Sequence, residues 1–166
     1  MTGRVFVDTN ILIYAYDKAL ETKHHRAGEV LLHLWRTNAG VLSTQVLQEF
    51  YVNITRKATP PMSLATAREV VRSYATWVHA PSTPATVLRA SEISEANQLS
   101  FWDSLIIASA EEQGATIILT EDLNHGQRIA GLQIINPFLT PAAWSHAVGG
   151  TLTSSGRMTP DGPRSE

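Results

Sequence analysis

Two short apolar runs mark the chain, Val5-Phe6-Val7, which shows no two-residue alternation, and Thr116-Ile117-Ile118-Leu119; Leu132 to Ile135 is a third strand candidate. Strands apolar on both faces belong to parallel sheets covered on both sides, so each run reads as a buried strand, the first ending at Asp8. Val41-Leu42, after Gly40, is a shorter candidate. Between the strands the period changes to that of a helix. Asn10 to Tyr16 is apolar and helix-compatible, and His25 to Arg36 carries Ala27, Val30, Leu31, Leu34 and Trp35 at helical spacing. Asp17 to Lys23 is the polar break between these two helices. Ser43-Thr44 offers N-caps for a helix to about Lys57, closed by Pro60-Pro61. Leu64 to Val78 predicts another, and Pro84 begins one running through Leu88, Ala90, Ile93, Ala96 and Leu99. Ser100 to Gln113 predicts the last, closed by Gly114. Strands and helices alternating in this order predict a layered α/β domain with a mostly parallel sheet. There is no internal repeat.

The chain has 166 residues and a mass of 18.2 kDa, the size of one domain. The folded unit is expected over residues 1–148, and the Gly-, Ser- and Pro-containing stretch 149–166 reads as a flexible tail. Hydrophobic residues at 43% and charged residues at 17% exclude a chain disordered throughout. The absence of cysteine excludes disulfides and thiolate metal sites, so any metal must sit on oxygen or imidazole. No apolar stretch is long enough for a signal peptide or a membrane span, which predicts a cytoplasmic protein without membrane contact. A net charge of −2 is not the footprint of a nucleic-acid binder. An RNA ligand would have to be held locally, by a metal and a few basic side chains.

Ligand crevices of open parallel sheets lie beyond the carboxyl ends of the strands, which directs attention to acids placed there. Asp8 is one, and it serves equally well as the N-cap of the following helix. Asp103 shares its helix face with Ile106, Ile107 and Ala110, an apolar stripe in which a carboxylate needs a partner; the alternative is a capping box with Ser100. Glu49 lies on the flank of the stripe formed by Val46, Leu47, Phe50 and Ile54, where a glutamate is ordinarily solvated. Asp122 follows the Thr116 to Leu119 strand, with Thr120 beside it, and can be a plain turn residue. Glu121 is an adjacent alternative for the same place. Taken together, the four acids would converge on one crevice. Two carboxylates about 5 Å apart repel by roughly 3 kcal/mol at an effective dielectric of about 20, so such a cluster calls for protons or a cation. Oxygen-only ligation suits Mg²⁺ or Mn²⁺.

Four segments, in order, resemble the motifs of PIN-domain nucleases: Val5-Phe-Val-Asp-Thr-Asn-Ile-Leu, Gln48-Glu49-Phe50, Phe101-Trp-Asp-Ser-Leu-Ile-Ile-Ala-Ser-Ala and Ile118-Leu-Thr-Glu-Asp-Leu. The resemblance spans roughly Val5 to Phe138. Small bacterial members of that family are the toxin half of VapBC toxin–antitoxin pairs. The resemblance implies a three-layer sandwich with a central, mostly parallel sheet flanked by helices, a Mg²⁺ or Mn²⁺ site, and hydrolysis of RNA. It implies that Asp8 and Asp103 are principal metal ligands, that Glu49 binds a metal directly or through water, and that Asp122 completes the acidic set. Asn10 and Thr120 match polar positions near the pocket. A homodimer and an antitoxin partner follow from the family alone. The implied chemistry is attack of water on a phosphodiester, without a protein nucleophile. His24, His25 and His79 match no motif, and Lys23-His-His-Arg reads as a solvated, mildly basic segment. Lys23, Arg26, Arg56 and Lys57 are candidates for phosphate contact.

Two other classes compete. An acidic-pocket phosphotransfer domain, whether a haloacid-dehalogenase-like phosphatase or a response-regulator-like receiver, would expect an aspartate where Asn10 stands, or a lysine soon after Leu119. A non-catalytic binding module would use the same acids as caps and show no metal dependence.

Overall fold

The computed structural model describes residues 3–139, 144–145, 151–152 and 158–159. The chain begins with strand β1 (Arg4–Val7), then helices α1 (Thr9–Tyr16) and α2 (Glu21–Thr37), strand β2 (Gly40–Val41) and helix α3 (Thr44–Arg56). Helix α4 (Leu64–Tyr74), a 3₁₀ turn (Ala75–Trp77), and helices α5 (Pro84–Asn97) and α6 (Phe101–Glu112) follow. Strands β3 (Ala115–Leu119), β4 (Arg128–Ile129) and β5 (Leu132–Ile135) complete the main sheet. A separate antiparallel pair, β6 (Thr151–Leu152) and β7 (Met158–Thr159), lies in the expected tail, whose remaining residues fall outside those described.

The main sheet runs β2-β1-β3-β5-β4 and is parallel except for β4, which pairs antiparallel with β5. This is the α/β architecture the alternation predicts, a sheet flanked by helices. Phe6, Val7, Ile118, Leu119, Ile134 and Ile135 are buried, as expected for strands covered on both faces. The helix starts follow side-chain caps: Ser43 Oγ accepts from the Val46 N–H, and Ser100 Oγ from the Asp103 N–H. Pro84 opens α5 behind a Thr83/Thr86 capping box. Gly40 is required in β2, because a Cβ there would stand 2.4 Å from the Trp77 ring.

Two expectations are corrected, and one strand lies outside them. The break between α1 and α2 is shorter than Asp17 to Lys23, since α2 already begins at Glu21, where His24 Nδ1 bonds the Tyr14 carbonyl at 3.0 Å. The helix from Leu64 stops at Tyr74, because the Trp77 carbonyl is needed to accept from the Leu42 N–H at the edge of the sheet. Strand β4 goes unpredicted: it is two residues long, and its hairpin turns through Ala130 (φ 50°) and Gly131 (φ 80°), where alanine is an unusual occupant of left-handed backbone.

Candidate active site

The strand register assembles the site. Val7 pairs with Leu119 and Leu119 with Ile135, so β1, β3 and β5 end level. The ladder continues one residue further: the Asp8 N–H donates to the Leu119 carbonyl and the Thr120 N–H to the Ile135 carbonyl, both at 3.0 Å. Asp8 and Thr120 therefore stand side by side at the carboxyl edge of the sheet, where an open parallel sheet leaves its crevice.

Around this pair lies a hydrogen-bond network. Thr120 Oγ1 donates to Asp8 Oδ2 at 2.8 Å and accepts from the Asp122 N–H at 3.1 Å. Asn10 Nδ2 donates to Asp122 Oδ2 at 2.9 Å and lies 3.3 Å from Thr120 Oγ1 and 3.5 Å from Asp8 Oδ2. Asp8 Oδ1 accepts from the Thr9 N–H at 2.7 Å, so the N-cap reading of Asp8 is realised within the same arrangement. Asp8 is 8% exposed. Its carboxyl is raised to about 7, chiefly by burial; hydrogen bonds from Thr120 and Thr9 work against the rise, and the charges of Asp122 and Glu49 add to it.

Glu49 enters from α3, the helix that leaves the carboxyl end of β2. Its Oε2 accepts from Thr9 Oγ1 at 2.6 Å and its Oε1 from Gln45 Nε2 at 2.9 Å. Asp103 occupies the first turn of α6, its N–H capped by Ser100 and its side chain half-buried. The network that joins Asp8, Asn10, Asp122 and Thr120, and reaches Glu49 through Thr9, does not include Asp103.

Glu121 is engaged elsewhere. It accepts from Lys23 Nζ at 2.7 Å and from the Tyr14 hydroxyl, while the Lys23 ammonium lies over the rings of Tyr14 and Phe138. Arg26 is paired with Glu29 at 3.2 Å and largely covered. The Lys23 to Arg26 stretch is thus not the freely solvated segment its composition suggests. Arg56 and Lys57 are exposed at the far end of α3, seven residues or about 10 Å along the helix beyond Glu49.

Thr9 and Gln45 belong to the site although the sequence did not single them out. Their only signal was spacing: Thr9 follows Asp8 directly, and Gln45 stands one helical turn before Glu49.

The donor set is oxygen throughout, acidic, and held by neutral hydroxyls and amides, which fits a hard divalent cation. Two further atoms support that fit: Asn10 Oδ1 and Gln45 Oε1 are buried without a hydrogen-bond partner. Among the described residues, however, no three acidic or histidine side chains converge closely enough to grip an ion directly. The arrangement suits a cation that keeps part of its water shell, as Mg²⁺ does.

The PIN domain family model matches residues 5–131. No curated protein matches the sequence. Among solved structures, a chain of the DNA-bound VapBC from Salmonella typhimurium superposes with a TM-score of 0.56 at 16% identity, covering 81% of this chain and 98% of that one. VapBC2 from Rickettsia felis, bound to a DNA fragment from its promoter, gives 0.54 at 19% identity, covering 80% and 97%. Mycobacterium tuberculosis VapC20, described as a Sarcin-Ricin loop cleaving toxin, gives 0.54 at 22% identity, covering 71% and 91%. At these identities the likeness speaks for the fold.

Proposed function

The chain belongs to the PIN domain family, and from that premise we propose that it is a divalent-cation-dependent endoribonuclease, the toxin of a toxin–antitoxin pair. The observation that carries this reading is the network in which Asn10 and Thr120 tie Asp8 to Asp122 at the carboxyl edge of the sheet. An Asp8 carboxyl raised to about 7 is a group that a bound cation would keep ionised at neutral pH.

In this reading Asp8, Glu49, Asp103 and Asp122 hold Mg²⁺ or Mn²⁺, directly or through water, and Asn10 and Thr120 orient the carboxylates. The cation supplies Lewis acidity and a water of lowered pKa for attack on the phosphodiester. Asp122 is preferred over Glu121 as the fourth acid, since Glu121 is taken up by Lys23 and Tyr14. The substrate class is RNA, by analogy with the loop-cleaving relative. An antitoxin partner is supported by the two VapBC likenesses. Homodimerisation, a cytoplasmic location and assignment of the activity to residues 1–148 complete the proposal. Among the described residues no helix is long and apolar enough to cross a membrane.

The phosphotransfer alternative lacks its second aspartate, because position 10 is an asparagine bonded to Asp122. The binding-module alternative predicts indifference to metal. The deciding experiment incubates the purified chain with total RNA in Mn²⁺, in chelator, and as the Asp8→Asn and Asp103→Asn variants. Cleavage is expected only for the unsubstituted chain in Mn²⁺. Undiminished cleavage by folded Asp8→Asn protein, or in chelator, ends the proposal.

A further inference from the structure

Gln45 stands one turn before Glu49 on α3 and donates its Nε2 to Glu49 Oε1 at 2.9 Å. Thr9 Oγ1 donates to the other carboxylate oxygen at 2.6 Å. A carboxylate oxygen has two lone pairs, so these donors fix the plane of the group and leave one lone pair on each oxygen for a further partner. A glutamine and a glutamate four residues apart also form an ordinary helix-surface pair. What distinguishes Gln45 is the other half of its amide: Oε1 is buried and has no hydrogen-bond partner. A buried carbonyl oxygen without a donor is unfavourable. Turning the amide over gives no relief, because it would set that oxygen against Glu49 Oε1, acceptor to acceptor.

Asn10 repeats the pattern. Its Nδ2 donates to Asp122 at 2.9 Å while its Oδ1 is buried without a partner. Two amides at one edge therefore each hold a carboxylate through their NH₂ group and leave the C=O bare. Such an arrangement works against stability, and folds keep it where the orientation of the carboxylate matters more.

We propose that Gln45 is a positioning residue of the cation site, acting through Glu49. This rests on the cation-dependent reading given above. Groups that orient metal-binding carboxylates typically change affinity by about 10- to 100-fold when removed. Gln45→Leu keeps much of the bulk and removes the donor and the bare oxygen together.

The test is Mn²⁺ titration by isothermal titration calorimetry, with the metal-free unfolding midpoint measured in chelator. Gln45→Leu is expected to weaken Mn²⁺ binding at least about tenfold while the metal-free midpoint holds or rises. Thr9→Val, which removes the other donor to Glu49, is expected to weaken binding likewise. Should the Leu variant not fold, Gln45→Met, unbranched and of similar length, makes the same comparison. A lowered metal-free midpoint with Mn²⁺ affinity unchanged within about twofold overturns the proposal and leaves Gln45 a helix-surface pair. Unsubstituted protein that binds no Mn²⁺ removes the cation site itself and this proposal with it, a result visible before any substitution is made.

Discussion

Asn10 and Asp122 are joined at 2.9 Å across 112 positions of the chain, and the amide that joins them also lies 3.5 Å from Asp8. A neutral donor thus stands between two carboxylates that would otherwise face each other. Asn10→Asp replaces that donor with a third negative charge of nearly the same shape. In chelator the variant is expected to lose about 1–3 kcal/mol of stability, from repulsion and the lost hydrogen bonds. Mn²⁺ should recover more stability in the variant than in the unsubstituted chain. Urea unfolding of both proteins, with and without Mn²⁺, checks this; equal sensitivity to Mn²⁺ counts against a cation beside Asn10.

The Asp8 carboxyl, raised from 3.8 to about 7, makes stability depend on pH. Between those values the folded state holds a proton that the unfolded state has released. Stability in chelator therefore falls as pH rises from about 4 to about 7, by up to a few kcal/mol from this group, and levels off above. Asp8→Asn should flatten that part of the profile. Cation binding displaces the same proton, so Mn²⁺ affinity is expected to rise with pH up to about 7 and then level. A metal-free stability curve that Asp8→Asn leaves unchanged would show that Asp8 ionises normally.

The strand pattern carried more of this arrangement than the side chains did. Val5 to Val7, Thr116 to Leu119 and Leu132 to Ile135 announced a parallel sheet, and a parallel sheet puts Asp8 and Thr120 at one edge whatever the loops do. Ser43 and Ser100 announced their helices because capping is local. The bond from Thr9 to Glu49 could not be read, since it depends on how α1 packs against α3 across 40 residues. The pairing of Lys23 with Glu121 spans 98 residues, and the sequence offered Lys23 only as a free cation. Strand β4 escaped because Ala130 adopts a backbone conformation that alanine does not advertise.

Lys23 offers a direct check on its role. Its ammonium bridges to Glu121 and covers Tyr14 and Phe138, but its side chain is 41% exposed, so the pair contributes on the order of 1 kcal/mol or less. Lys23→Met keeps the apolar cover and removes the charge. The expected result is a small drop in the unfolding midpoint with the KM for RNA cleavage unchanged. A raised KM at constant stability would instead make Lys23 a phosphate contact.

Thr120 is fully buried, and its hydroxyl serves both aspartates, donating to Asp8 Oδ2 at 2.8 Å and accepting from the Asp122 N–H at 3.1 Å. Thr120→Val preserves shape and removes that oxygen. Two effects follow from different causes. The Asp122 N–H loses its acceptor and Asp8 Oδ2 loses a donor, which together destabilise the protein by about 1–3 kcal/mol. The Thr120 hydrogen bond also lowers the Asp8 pKa, so its loss drives that carboxyl higher still. The pH at which Mn²⁺ affinity levels off should therefore move upward, whereas a purely structural defect would lower stability and leave that pH in place. Measuring Mn²⁺ affinity between pH 5.5 and 9 for both proteins separates the two, and a profile that does not shift would mean that Thr120 packs the edge of the sheet without tuning the carboxylate beside it.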